Sequence, residues 1–167
     1  QFGEAGNYVL GPTTENFEKN FAQYCGYAYA VATSTGLSAL EMSLLAHGVK
    51  RGDEVITVPN SAVATSLAIS NIGAVPVFCD ISENFLIDAH KIEQLITSKT
   101  RAILPVHLFG KVCDMEAIRA IAVKYSLQII EDACQAHGAT FAGASAVYTK
   151  AFSFYPTKNL GSLGEGG

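Results

Sequence analysis

Short, nearly continuous apolar runs recur along this chain, each separated from the next by a segment patterned as a helix, and that alternation constrains the fold more than any other feature. Residues 29–33, 54–58, 76–80, 101–106 and 127–131 read as strands. Helices are predicted over 37–45, 61–72 and 88–96, and after Asp114, where Ile118, Ile121 and Tyr125 share one side. An earlier helix is expected from the i, i+4, i+7 spacing of Phe17, Phe21 and Tyr24, with residues 13–16 as its cap and Gly26 as its end. Strands that are apolar throughout, rather than at alternate positions, are buried on both faces. The chain is therefore expected to be α/β, a three-layer αβα sandwich around a mostly parallel sheet. With 167 residues and no internal repeat, low-complexity tract or linker, one domain accounts for it.

In open α/β sheets, ligands sit beyond the carboxyl ends of strands, so the residues that follow each strand carry the chemistry. The last apolar run, Ala151-Phe152-Ser153-Phe154-Tyr155, is a short aromatic strand that runs into a proline turn and presents Lys158. Gly161, Gly164, Gly166 and Gly167 follow, a loop whose backbone can approach a ligand closely. Lys158 is either a solvated loop lysine or a partly desolvated amine able to attack a carbonyl. The turn Ser34-Thr35-Gly36, between a strand and a helix, is either an ordinary connection or an anion cradle at a helix N-terminus. Asp132, at the end of the 127–131 strand, is either a helix cap or a functional carboxylate.

Composition narrows the partners. The formal charge of −4 and the absence of a Lys/Arg cluster argue against nucleic acid or an anionic membrane. No apolar run approaches the ~20 residues of a membrane span, and the amino terminus has no basic-then-apolar signal pattern, so a cytoplasmic protein is expected. Cys25, Cys79, Cys113 and Cys134 form no C-x-x-C pair and read as small buried hydrophobes, with no metal site. With 49% hydrophobic and 16% charged residues, the surface is expected to include area covered by further chain or a partner.

Two motifs in order, Glu131-Asp132-Ala133-Cys134-Gln135-Ala136-His137-Gly138 and Phe152-Ser153-Phe154-Tyr155-Pro156-Thr157-Lys158-Asn159-Leu160-Gly161, closely resemble the pyridoxal-phosphate-dependent sugar aminotransferases of the DegT/DnrJ/EryC1/StrS family. The resemblance begins at Tyr8-Val9-Leu10-Gly11-Pro12 and takes in Gly52-Asp53-Glu54-Val55-Ile56 and Pro105-Val106-His107-Leu108-Phe109-Gly110. It implies a fold-type-I large domain over residues 1–167, truncated at both ends and without the C-terminal small domain. It implies pyridoxal 5′-phosphate as cofactor, with Lys158 forming the Schiff base, Asp132 facing the ring nitrogen, Gln135 approaching the ring hydroxyl and Ser153 helping to hold the phosphate. Gly36, Leu37 and Ser38 align with the family's phosphate turn. A nucleotide-linked keto sugar, glutamate as amino donor and a homodimer are implied in the same way. His107 and His137 are given no role.

This chain departs from the family pattern at three places. Leu37 stands where a threonine is frequent, Ala62 where an aromatic ring is common, and residues 141–150 are short and lack a glycine-aspartate pattern. Two rivals share the fold: a sugar dehydratase, whose members tend to replace the lysine that is present here, and a non-catalytic sugar-nucleotide-binding protein. A dinucleotide-binding dehydrogenase is disfavoured because no G-x-G-x-x-G follows an early strand.

Overall fold

The computed structural model describes residues 10–140 and 148–167. The start of the family-like run at Tyr8 and most of the 141–150 segment lie outside the described residues. The chain divides into two compact units, 1–32 and 33–167.

In the first unit, α1 (Pro12–Cys25) starts at Pro12, so the expected polar cap, residues 13–16, lies inside its first turn. Gly11 is the N-cap and Pro12 occupies the first helical position, where its fixed φ suits the helix and its missing N–H is no loss. The helix ends as expected at Gly26, whose φ of 74° is left-handed. Phe17 stacks on Phe21, with ring centroids 5.6 Å apart. The buried strand expected at 29–33 does not form, and Tyr29 and Val31 are exposed. Its amides are used otherwise: Ala32 N donates to the Glu18 side chain at 2.7 Å, so it cannot serve a ladder.

The second unit is built on a five-stranded sheet of β1 (Glu54–Thr57), β2 (Val75–Phe78), β3 (Thr100–Ile103), β4 (Gln128–Asp132) and β5 (Thr149–Ala151). The spatial order is β2-β1-β3-β4-β5 and every neighbouring pair is parallel. α3 (Val63–Asn71) links β1 to β2 in one direction across the sheet, and α4 (Met115–Tyr125) links β3 to β4 in the other. Right-handed crossovers running in opposite directions put their helices on opposite faces, and α2 (Gly36–Ala46) packs beside α3. Three layers result, with a change of crossover direction between β1 and β3. Val55, Ile56, Ile103, Leu104 and Ile130 fill the centre, with Leu40, Leu44 and Ile69 from one side and Ile118 from the other.

Two local expectations are corrected. The helix expected over 88–96 is a pair of 3-10 turns, Ala89–Lys91 and Glu93–Leu95, with fully buried Ile92 between them. A segment this short nucleates a helix poorly, and tertiary burial of Ile92 decides its path. The final strand is Thr149–Ala151 rather than the aromatic run. Phe154 instead bonds the glycine loop, its N–H donating to Gly166 O at 2.8 Å and its carbonyl accepting from Ser162 N at 2.7 Å. All four cysteines are free thiols. Cys79 and Cys113 are buried as expected, whereas Cys25 and Cys134 are half-buried. Burial pushes the Cys79 thiol up to about 11 and the Cys113 thiol up to about 12.

Candidate active site

The ends of β4 and β5 and the start of α2 supply the site. Asp132 closes β4 and is held by backbone bonds on both sides: its N–H donates to Pro105 O at 2.9 Å and its carbonyl accepts from His107 N at 3.0 Å. The residue is 4% exposed, so its carboxylate needs partners within the fold. Oδ2 accepts from Thr65 Oγ1 at 2.8 Å and Oδ1 accepts from Cys134 N at 3.1 Å. Both donors are neutral, and among the described residues no cation pairs with Asp132.

Cys134 continues from that carboxylate toward the start of α2. A Cβ built on Gly36 would lie 2.7 Å from Ser153 Cβ, 3.0 Å from Cys134 Sγ and 3.3 Å from Phe152 O. Only glycine lets the helix start this close to the chain leaving β5. Thr35 caps α2 through its side chain, which accepts from Ser38 N at 3.0 Å, and Ser38 Oγ lies within hydrogen-bond distance of both Ser34 and Thr35. Leu37 turns its side chain toward the core. The amides of Gly36 and Leu37 have no acceptor among the described residues, as expected of a helix's first turn. Ser153 is buried, and its hydroxyl oxygen accepts from Tyr155 N at 3.3 Å, which leaves the hydroxyl proton to donate elsewhere. The structure thus brings Gly36, Leu37, Ser38 and Ser153 to one place at the positive end of a helix dipole.

Lys158 closes the turn after Tyr155, its N–H donating to Tyr155 O at 2.8 Å. Its side chain is half-buried and has no hydrogen bond or ion pair among the described residues. Its charge reaches both Cys134 and His137. Burial and the Asp132 charge drive the Cys134 thiol well above its ordinary range, with Lys158 opposing them. Burial, with a smaller contribution from Lys158, lowers the His137 pKa, against an upward pull from the Ser153 backbone. His137 packs between Phe152 and Phe154, each ring centroid 5.4 Å away. Gln135 is fixed from another side: its Oε1 accepts from the amide of Phe109 at 3.0 Å, which leaves its NH2 group for a ligand. Phe109 holds a φ of 56°, strained for an aromatic residue.

A model of the DegT/DnrJ/EryC1/StrS aminotransferase family matches residues 1–167. The chain belongs to that family. It is 46% identical to the dTDP-3-amino-3,4,6-trideoxy-alpha-D-glucose transaminase of Micromonospora megalomicea over 98% of this chain and 45% of that protein. It is 49% identical to the dTDP-3-amino-3,6-dideoxy-alpha-D-galactopyranose transaminase of Aneurinibacillus thermoaerophilus, over 97% of this chain and 41% of that one. Among solved structures it superposes on S. venezuelae DesV in complex with a ketimine intermediate, with a TM-score of 0.92 and 44% identity over 98% of this chain and 45% of that one. It also matches NtdA of Bacillus subtilis with bound cofactor PMP at a TM-score of 0.93 and 45% identity, over 98% of this chain and 38% of that one. The chain thus spans less than half the length of these relatives, and its described part has the αβα fold of a fold-type-I large domain.

Thr65 did not stand out in the sequence, and Thr35 was marked only as part of the Ser34-Thr35-Gly36 turn, without its capping role. Thr35 precedes a helix and follows the usual preference for a threonine cap, so that signal was present. Thr65 carried none, because its partner lies 67 positions away.

Proposed function

We propose that this chain is the cofactor-binding domain of a pyridoxal-5′-phosphate-dependent aminotransferase that converts a nucleotide-linked keto sugar to an amino sugar, with glutamate as donor. The observation that carries the reading is Asp132, a buried carboxylate answered among the described residues only by neutral donors and joined through Cys134 to the helix start at Gly36. Such a carboxylate suits a cationic ring nitrogen. The amides of Gly36 and Leu37 and the amine of Lys158 have no partner among the described residues; the amides, with the hydroxyls of Ser38 and Ser153, suit a phosphate, and the amine suits an aldehyde. The residues present therefore fit the group. The names of the relatives support the sugar substrate, and the absence of any helix long and apolar enough to cross a membrane among the described residues is compatible with the proposed cytoplasmic setting. A homodimer belongs to the same proposal.

When bound, pyridoxal phosphate supplies an electron sink for the carbon that loses its proton. Asp132 would hold the positive charge on the ring nitrogen that this withdrawal needs. Lys158 would hold the aldehyde carbon through Nζ, and the same amine would serve as proton carrier. Gln135 would meet the ring hydroxyl through its NH2 group. The start of α2 and Ser153 would hold the phosphate. Borohydride reduction of the full chain with pyridoxal phosphate, followed by peptide mapping, is expected to place the label on Lys158. Label on another lysine, or on none, sinks the assignment.

A further inference from the structure

Asp132 is aimed by a hydroxyl chain that starts two strands away. Ser61 Oγ and Thr65 Oγ1 are 2.8 Å apart, and Thr65 Oγ1 donates to Asp132 Oδ2 at 2.8 Å. A hydroxyl has one proton, and that of Thr65 points at the carboxylate, so Ser61 is the donor to Thr65. A helical threonine commonly bonds the carbonyl four residues back. Here the Thr65 hydroxyl leaves its own helix and crosses the end of β3 to reach β4. Thr65 is 2% exposed, so no water can substitute for this bond. Cys134 N holds the other oxygen at 3.1 Å from the turn after β4. Thr65 on one oxygen and the Cys134 amide on the other, donors from different elements, fix the carboxylate plane.

We propose that Thr65 is a positioning residue that sets the orientation of Asp132 toward the cofactor's ring nitrogen, with Ser61 fixing the Thr65 hydroxyl. This rests on the reading of Asp132 given above. Thr65→Val keeps the shape and removes the donor, whereas Thr65→Ser keeps the donor. Removing a buried hydrogen-bond partner of a charged group costs a factor of about 10–100 in what that group binds.

The test is equilibrium binding of pyridoxal phosphate, followed by its visible absorption, in the full chain and its variants. The same titration is then run with the 1-deaza analogue, in which carbon replaces the ring nitrogen. Thr65→Val is expected to weaken pyridoxal phosphate about 10-fold or more and to leave the affinity for the deaza analogue within about 2-fold. Thr65→Ser restores binding to within about 3-fold, and Ser61→Ala, at a half-buried position that tolerates truncation, gives a loss of about 2–5-fold seen only with the nitrogen-containing ligand. Equal losses with both ligands assign Thr65 to packing and overturn the proposal, as does a Ser61→Ala loss that does not distinguish them should Thr65→Val not fold. If Asp132→Asn weakens pyridoxal phosphate while Thr65→Val and Ser61→Ala bind it as the parent does, the positioning role fails and the reading of Asp132 stands. If Asp132→Asn also binds as the parent does, both fail together.

Discussion

The last two residues of β4 are both buried carboxylates, and the fold treats them in opposite ways. Glu131 is answered within the chain: Lys150 Nζ lies 3.3 Å from its Oε2, and His107 Nε2 lies 2.7 Å from the same atom. Because Cys113 N donates to His107 Nδ1, the ring is the Nε2–H tautomer and donates to Glu131. Asp132, on the other face of the strand, has Thr65 and a backbone amide but no cation among the described residues. Adjacent residues on a strand face opposite sides, so one carboxylate meets its compensating charge within the chain and the other, among the described residues, does not. Burial alone does not tell a structural acid from a functional one; what distinguishes them is whether the compensating charge comes from within the chain.

The largest test of this contrast is Asp132→Asn. The amide is nearly the same shape and can still accept from Thr65, so the melting temperature is expected to stay within a few degrees of the parent. If Asp132 has the proposed role, loss of its charge is expected to lower turnover about 10²–10³-fold at saturating cofactor. Steady-state kinetics check it, and turnover within a few-fold of the parent breaks the contrast on its functional side.

Glu131→Gln exchanges the roles. It leaves the Lys150 ammonium without its charge partner in a largely buried place, and a loss of about 1–3 kcal/mol in unfolding free energy is expected, with turnover per folded molecule nearly unchanged. Denaturant unfolding monitored beside activity decides this. A catalytic loss as large as that of Asp132→Asn would show that the two carboxylates act as one unit.

The smallest effect concerns His137. Burial lowers its folded pKa from the ordinary value of 6.5, so the unfolded chain binds the proton more readily. The stability from keeping this ring neutral is present above about pH 6.5 and is lost as pH falls through the lower folded value. His137→Phe is expected to flatten that part of the acid limb of a melting-temperature profile and to change little at pH 8. An unchanged slope would mean that His137 takes up its proton in the fold as readily as in the unfolded chain, which adds a cation to this end of the sheet and blunts the contrast.

Much of this was legible because it is local. The alternation of apolar runs and helices, the Gly26 stop, the Asp114 cap, whose Oδ1 accepts from Ala117 N at 3.0 Å, and the two motifs around Asp132 and Lys158 depend on neighbours in sequence. What failed depends on distant partners. The apolar residues 29–33 look like a strand until Glu18 captures an amide, and the 88–96 helix gives way to the burial of Ile92. Glu131 and Asp132 could not be told apart in sequence, since His107, Lys150 and Thr65 lie 24, 19 and 67 positions from their partners, and the proposed roles of Gly36, Leu37, Ser38, Gln135 and Ser153 rest on resemblance and proximity.

The outer strand β2 carries a further consequence. Val75 and Cys79 donate to Asp53 and Thr57, so the odd-numbered amides of this strand face β1 and the even-numbered ones face away. Pro76 falls on an outward position, where its missing N–H is no loss to the ladder. Another extended segment approaching this edge finds a gap where a donor is needed, beside half-exposed Val75 and Phe78 that would otherwise invite it. A single ring closure thus discourages edge-to-edge pairing of this parallel sheet.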